Sequence, residues 1–248
     1  MRINRYLAQC ALASRRKCEE YVLQGRVKAN GKVITKLSYV VREGDIITVD
    51  NKVYRPAGKK IYLMLNKPKG YITTRQDEKD RKTVMDFLDQ KYLRAGVFPV
   101  GRLDYNTEGL LLFTNDGDFA YKLTHPKYES EKEYRLTVAG EVSQEALQKL
   151  RMPLKVDGKM TRGAVIKVIK ATEESTELSV QIREGKNRQI RRMCENAGLE
   201  VQRLMRVSVG GVKMKGLRRG AVRILSDEEI ALLSKDAGQK KQKTRGKR

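Results

Sequence analysis

The segment GRLDYNTEGLLLFTNDG, residues 101–117, contains an acid whose surroundings favour chemistry. Asp104 follows Arg102 by two residues and lies in a polar loop that leads into the apolar run GLLLF. Functional groups are often placed on a loop that is held by a strand at both ends, and a neighbouring arginine favours the ionised form of the aspartate. Aspartate is also an ordinary turn residue. The segment alone therefore leaves both interpretations open.

A second segment, REGKNRQIRRMCENAG, combines basic and apolar residues at helical spacing. Four apolar residues recur at the i, i+3, i+4, i+7 positions of one helix face: Ile190, Met193, Cys194 and Ala197. Arg188, Arg191 and Arg192 then share the opposite face, and such a basic stripe suits a phosphate backbone. Lys186, at the turn before this helix, is a candidate partner for a catalytic acid.

Two further side chains admit a chemical interpretation. Tyr134 lies in the charged, strand-like segment EKEYRLTVAG, either as a packing residue or as a ring that stacks on an unstacked base. His125 is the only histidine of the chain and precedes Pro126. We expect it to be structural.

The composition indicates a nucleic-acid partner. Lys and Arg number 53 against 30 acids in 248 residues, which gives a formal net charge of +23. The three cysteines have no CxxC spacing, which is typical of a reducing cytosol, and with a single histidine they leave too few ligands for a zinc site. The charged N-terminus is unlike a signal peptide, and no apolar run is long enough to span a bilayer. We therefore expect a soluble, cytoplasmic protein without a metal.

Residues 1–58 are predicted to form a small basic RNA-binding domain. A short helix begins near Ile3, and a second helix is capped by Ser14 and stops at Gly25. The pair Asn30-Gly31 predicts a two-residue hairpin turn. Three basic residues open the second helix and are expected to contact RNA phosphates: Arg15, Arg16 and Lys17.

Residues 59–234 mix strand and helix patterns, which predicts an α+β domain with a mixed, mainly antiparallel sheet. Strands are predicted at 61–65, 97–100, 109–114, 132–139, 164–170, 177–183, 200–209 and 221–225. Helices are predicted at 83–89, 116–123, 143–151, 187–197 and 226–234. Residues 235–248 form a basic tail that we expect to be disordered.

Together these segments resemble the RsuA/RluB family of ribosomal RNA pseudouridine synthases, with an S4-like RNA-binding module at the N-terminus. GRLDYNTEGLLLFTNDG, KEYRL and EGKNRQIRRM occur in this order at family-like spacing, and LNKPKGY and LTHPKY also look like family segments. The resemblance covers residues 1 to about 232. It implies isomerisation of a uridine in ribosomal RNA to pseudouridine, without a metal or a small-molecule cofactor.

The resemblance also implies roles for single residues. Asp104 is then the essential carboxylate, Lys186 pairs with it, and Tyr134 stacks on the target base. Arg102 is expected to help hold the extruded nucleotide, and Ile182 to form an apolar wall for the uracil. Whether Asp104 attacks the base or the sugar, or removes a sugar proton, stays open. Further RNA contacts are expected from Arg188, Gln189, Arg191 and Arg192.

The size, the S4-like start and the basic tail resemble the RluB branch, which implies a monomer acting on large-subunit 23S rRNA or a pre-ribosomal particle. The same reaction on small-subunit 16S rRNA is one alternative, and a non-catalytic RNA-binding or ribosome-assembly protein is another. A metal nuclease is the third, but it requires clustered carboxylates. Asp116 and Asp118, beside Gly117, fit a turn better.

Overall fold

A computed structural model describes residues 1–56 and 58–236. These residues form two compact units. The first consists of Met1–Ile61 with Leu88–Phe98 and Thr114–Gly117, and the second of Tyr62–Phe87, Pro99–Phe113 and the chain from Asp118 onward. Nearly all of the predicted tail, from residue 237, lies outside the described residues. Within the described part, no helix has the length and apolar character that a membrane crossing requires.

The helices and strands have the following bounds. The α-helices are α1 (Ile3–Gln9), α2 (Arg15–Leu23), α3 (Gln90–Arg94), α4 (Gly117–Thr124), α5 (Gln144–Arg151), α6 (Gln189–Asn196) and α7 (Asp227–Asp236), and two 3-10 helices span Val84–Phe87 and Pro126–Tyr128. The strands are β1 (Val27–Ala29), β2 (Lys32–Val33), β3 (Ile47–Val49), β4 (Lys52–Val53), β5 (Tyr62–Lys67), β6 (Phe98–Val100), β7 (Glu108–Thr114), β8 (Lys132–Ala139), β9 (Lys155–Val156), β10 (Lys159–Met160), β11 (Val165–Ala171), β12 (Ser175–Ile182), β13 (Val201–Val209), β14 (Val212–Lys213) and β15 (Val222–Ile224).

The first unit contains the two predicted N-terminal helices and a small sheet of order β2-β1-β3-β4. The hydroxyl of Ser14 accepts a hydrogen bond of 3.2 Å from the backbone N–H of Lys17, so the predicted cap of α2 is confirmed. Asn30 and Gly31 both have positive φ, as the predicted hairpin turn between β1 and β2 requires. Helices and strands share one core, formed by Ile3, Leu7, Cys18, Val22, Val27, Ala29, Val41, Ile47 and Val49.

The second unit is built on one large sheet of order β11-β12-β8-β13-β7-β5-β15, which β6 and β14 extend. β13 runs parallel to β7, whereas the pairs β11–β12, β12–β8, β8–β13 and β5–β15 are antiparallel. The predicted α+β architecture with a mixed, mainly antiparallel sheet is confirmed.

Several short elements differ from the sequence prediction. The helix predicted at 83–89 is a 3-10 helix at Val84–Phe87. Helix α3 was not predicted, because none of its five residues is buried and it therefore has no apolar stripe. The β9–β10 hairpin was also missed, although its turn residues Asp157 and Gly158 have the positive φ of a tight hairpin turn.

Glycine at position 109 allows β7 to approach β13 closely. Gly109 has a φ of +100°, and a Cβ atom there would lie 2.2 Å from the carbonyl oxygen of Arg206 on β13. Any other residue would push the parallel strands apart at this point. Because the polar loop with Asp104 ends where β7 begins, this close packing fixes one end of the loop.

Candidate active site

A cavity of about 180 Å³ lies within the second unit, beside the loop that contains Asp104. The structure brings most of the predicted site residues together around it: Arg102, Asp104, Tyr134, Ile182, Lys186, Arg188, Gln189 and Arg191. Arg192 does not line the cavity. The predicted RNA contacts Arg15, Arg16 and Lys17 belong to the first unit, where all three side chains are exposed.

A buried lysine holds the backbone of the Asp104 loop through hydrogen bonds. The Lys67 ammonium, at the end of β5, donates hydrogen bonds to the carbonyl oxygens of Asp104 at 3.1 Å and Thr107 at 2.9 Å. It also contacts the carbonyl oxygens of Pro68 at 3.0 Å and Tyr105 at 3.5 Å. One charged group therefore fixes the turn on which the Asp104 carboxylate is presented.

Two other side chains complete this support. The Thr73 hydroxyl donates to the carbonyl oxygen of Leu103 at 2.7 Å and accepts from the N–H of Leu103 at 3.2 Å. The Arg191 guanidinium on α6 donates to the carbonyl oxygen of Asn106 at 2.9 Å. Every backbone carbonyl from residue 103 to residue 107 thus accepts a hydrogen bond. The loop is preorganised by three different elements of the chain.

Lys67 was missed as a functional candidate by the sequence analysis, which gave the segment LNKPKGY no role for any single residue. The lysine is fully buried, and burial lowers its pKa from the usual 10.5 to about 8. The carboxylates of Asp104 and Glu108 oppose this shift. A lysine at the end of an otherwise apolar strand, YLMLNK, was the available signal.

Tyr134 and Ile182 form one wall of the cavity from neighbouring strands. Tyr134 on β8 is 8% exposed, and Ile182 on β12 lies directly opposite Lys132. Burial, together with the charge of Arg206, lowers the pKa of Lys132 to about 8, and Asp236 opposes the shift. This wall therefore combines the apolar surface of Tyr134 and Ile182 with the buried amino group of Lys132.

The expected pairing of Lys186 with Asp104 is not found. The Lys186 ammonium donates instead to the carbonyl oxygens of Lys159 at 2.9 Å and Met160 at 2.5 Å. It thereby attaches the β9–β10 hairpin to the turn before α6. Lys186 does not pair with Asp104 because these two carbonyls already satisfy its ammonium.

Arg191 is a basic residue whose charge interacts with that of Asp104. Burial and the nearby Arg188 lower the pKa of its guanidinium, and the Asp104 carboxylate acts in the opposite direction. Its Nε is buried and makes no hydrogen bond to the described residues.

Gln189 is buried, with 3% of its surface exposed. Its amide donates to the Glu184 carboxylate at 2.8 Å and accepts from the N–H of Lys186 at 3.1 Å, so it closes the turn before α6, and its RNA contact stays a prediction. Arg192 forms an ion pair of 2.7 Å with Asp157 of the hairpin. Arg188 is exposed, and its RNA contact stays a prediction.

Of the remaining candidates, His125 has the structural role that was expected, and the role of Arg102 stays a prediction. Arg102 is exposed at the cavity, which suits a contact with an extruded nucleotide. His125 caps the 3-10 helix after α4, where its Nδ1 accepts a hydrogen bond of 3.2 Å from the N–H of Lys127. Asp116 forms an ion pair of 2.7 Å with Lys60. Within the described residues, no group of three or more His, Cys, Asp or Glu side chains is arranged to hold a metal ion.

Comparison with known proteins identifies the family. The model of the RNA pseudouridylate synthase family matches residues 61–196, and that of the S4 domain matches residues 1–47. The chain belongs to the RNA pseudouridine synthase family. It is therefore an isomerase that forms pseudouridine in RNA, and it has an S4 domain at its N-terminus, as the resemblance implied. Asp104, Tyr134 and Arg191 all lie within the matched synthase region.

Relatives and a solved structure agree with this assignment over nearly the whole chain. The synthase is 42% identical to ribosomal large subunit pseudouridine synthase B of Bacillus subtilis (strain 168), over 94% of this chain and 95% of the relative. It is 33% identical to the dual-specificity RNA pseudouridine synthase RluF of Escherichia coli (strain K12), over 95% of this chain and 79% of the relative. A crystal structure of a pseudouridylate synthase is 28% identical, with a TM-score of 0.67, and the match covers 94% of this chain and 99% of that one.

Proposed function

We propose that this pseudouridine synthase modifies a uridine in large-subunit ribosomal RNA and that Asp104 is its essential carboxylate. The similarity to the Bacillus subtilis large-subunit enzyme, at 42% identity, supports the choice of RNA. The net charge of +23 supports a highly anionic substrate. Three free cysteines support a site of action in the cytoplasm.

The observation that carries the proposal is the Asp104 loop. Its carbonyls are all hydrogen-bonded, so the Asp104 carboxylate is presented to the cavity from a fixed backbone. A uridine must leave its stack to enter such a cavity, at a cost of a few kcal/mol that is smallest in a loop or bulge. Tyr134 then stacks on the extruded uracil, and Ile182 covers an apolar edge of it.

The reaction conserves all atoms of the uridine. The bond between N1 and C1′ breaks, the uracil rotates, and C5 forms the new bond to C1′. C5 then loses its proton, and N1 gains one. Because Asp104 is held in place before the substrate arrives, little reorganisation is needed when charge develops.

Arg191, not Lys186, is proposed as the basic partner of Asp104. Its guanidinium is hydrogen-bonded to the same loop, and the charges of the two side chains act on each other. The proposed catalytic residues all come from one compact unit of one chain, which supports action as a monomer. No small-molecule cofactor has a part in the proposed steps.

The proposal is tested by mapping pseudouridines in ribosomal RNA from cells with and without the protein. We expect loss of pseudouridine at one or a few large-subunit positions, with recovery by the wild-type chain and not by Asp104→Asn. The purified Asp104→Asn variant should still bind the RNA, because no phosphate contact is removed. Unchanged large-subunit maps would contradict the choice of RNA, and recovery by Asp104→Asn would contradict the role of the aspartate.

A further inference from the structure

A cluster of aromatic side chains lies at the edge of the active-site cavity, on α4 and the 3-10 helix that follows it. Tyr121, His125 and Tyr128 form this cluster, which we call the aromatic platform. The ring centroid of Tyr121 is 4.6 Å from that of His125 and 6.0 Å from that of Tyr128. Lys127 places its ammonium 4.6 Å from the Tyr128 centroid and 5.2 Å from the Tyr121 centroid.

The platform is not part of the core. α4 buries Phe119, Ala120 and Leu123 against the sheet, whereas Tyr121 lies on the opposite face and is 45% exposed. Elsewhere in the same unit, Tyr62 packs against the buried Phe119, with centroids 4.8 Å apart. His125 and Tyr128 are half-buried beside Tyr121, so the cluster presents ring surface that a ligand can cover.

The platform is continuous with the cavity. His125 belongs to both, and Thr124, Pro126 and Glu129 of the same segment also line the cavity. If a uridine is bound in the cavity, the nucleotide next to it in the same strand can therefore lie on the platform. Exposed aromatic rings next to a cation are the usual surface for a splayed RNA base and its phosphate.

We propose that the aromatic platform stacks a nucleobase that neighbours the target uridine, and that Lys127 contacts the phosphate between them. This inference rests on the proposed function, because it takes RNA with a uridine in the cavity as the ligand. The stacked base helps to hold the RNA open while the target uridine is outside its helix. The platform thereby contributes to the choice of target.

The test uses the full-length protein and a short RNA hairpin that contains the uridine identified by mapping. The bases on either side of that uridine are replaced in turn by 2-aminopurine, whose fluorescence falls when it stacks on a ring. We expect one position to be quenched by the wild type and by Tyr121→Phe, which keeps the ring. Tyr121→Leu should not quench it and should bind the RNA about 5- to 100-fold more weakly.

Two further variants separate stacking from other effects. Lys127→Met should keep the quenching but lower the slope of log affinity against log salt by about 0.7, since one phosphate contact is lost. Tyr92→Leu is the matched control, because Tyr92 also has a lysine above its ring, at 4.8 Å, but belongs to the first compact unit and not to the unit that contains the cavity. It should leave both quenching and affinity unchanged.

The outcomes that overturn the inference are distinct from failure of the proposed function. If the wild type converts the hairpin uridine but no position is quenched, or if Tyr121→Leu retains quenching and affinity, the platform does not stack RNA. Unchanged RNA affinity with weaker binding to ribosomal particles would assign the platform to a protein partner and also overturn the inference. If the wild type forms no pseudouridine in any ribosomal RNA, the proposed function itself fails.

Discussion

At the scale of single residues, Arg191 is proposed for the role that the sequence suggested for Lys186. Both are basic and lie five positions apart in EGKNRQIRRM. Spacing along the chain does not decide which of them reaches Asp104, since one precedes α6 and the other lies on its first turn. The carbonyls of Lys159 and Met160 bind Lys186, and Arg191 is left to bind the Asp104 loop.

This difference gives a paired prediction. Arg191→Gln should lower kcat by about 100-fold or more, because it removes a preorganised cation beside the reacting carboxylate. Lys186→Gln removes the same charge but should lower kcat by less than about 10-fold, since only the attachment of the hairpin is weakened. The steady-state rate of pseudouridine formation at saturating RNA measures both, with thermal melting as the check on folding. The opposite ranking would restore Lys186 as the partner of Asp104.

At the scale of elements, the strand β5 supports the active site through its last residue. Lys67 ends β5 inside the second unit, and its ammonium binds carbonyls 37 and 40 positions further along the chain. Because an ammonium has three N–H donors and a neutral amine has two, its hold on the loop depends on protonation. The geometry of Asp104 is therefore linked to the charge of a residue that does not touch the substrate.

Lys67→Met should lower kcat by about 100-fold while leaving KM for RNA nearly unchanged, because the loop shifts but the RNA-binding surface does not.

In the wild type, the rate should fall as pH rises through about 8, where Lys67 loses its proton. Pre-steady-state rates between pH 6 and pH 9.5 measure this. A rate in Lys67→Met that equals that of the wild type would contradict the role of the lysine.

The stability of the wild type relative to Lys67→Met should rise with pH, whereas its rate falls. Burial lowers the pKa of Lys67 from 10.5 to about 8, so between these values the unfolded chain binds a proton that the folded chain does not. The free energy of unfolding of the wild type therefore increases, relative to that of Lys67→Met, as pH rises from 8 towards 10.5. Urea unfolding across this range separates loss of activity from loss of fold.

At the scale of the whole molecule, positive charge is present in both compact units. Arg15, Arg16 and Lys17 are exposed at the start of α2 in the S4 region, and Lys17 forms an ion pair of 2.6 Å with Glu20. The first turn of a helix also presents free backbone N–H groups, which favour phosphate. The S4 domain is thus suited to affinity and not to the chemical step.

Replacing Arg15, Arg16 and Lys17 together by Gln should reduce the slope of log affinity against log salt by about 2, if each contacts one phosphate. The rate at saturating RNA should stay unchanged. The matched control replaces Lys149, Lys167 and Lys170, three exposed lysines of the second unit, and should have a smaller effect. Equal slopes for the wild type and the S4 variant, measured by filter binding from 50 to 300 mM salt, would contradict RNA binding by α2.

Much of the fold was predictable from local patterns. The cap at Ser14, the Asn30-Gly31 hairpin and the buried run GLLLF each depend on residues close in sequence. Short elements such as α3 and the β9–β10 hairpin could not be predicted, because they have too few buried residues to show a periodic pattern of apolar residues. Asp104 and Tyr134 were named from motifs, and the structure places both at one cavity.

The sequence by itself determined the family, the basic surface, the order of the motifs and the identity of the candidate acid. Only the tertiary structure decided which cation supports the loop of that acid and that Lys67 binds the same loop. It also decided that Tyr121 and Tyr128 pack beside His125, which lines the cavity. The physical reason is distance along the chain. The hydrogen bond from Arg191 to Asn106 joins residues 85 positions apart, and such a contact is set by how strands and helices pack.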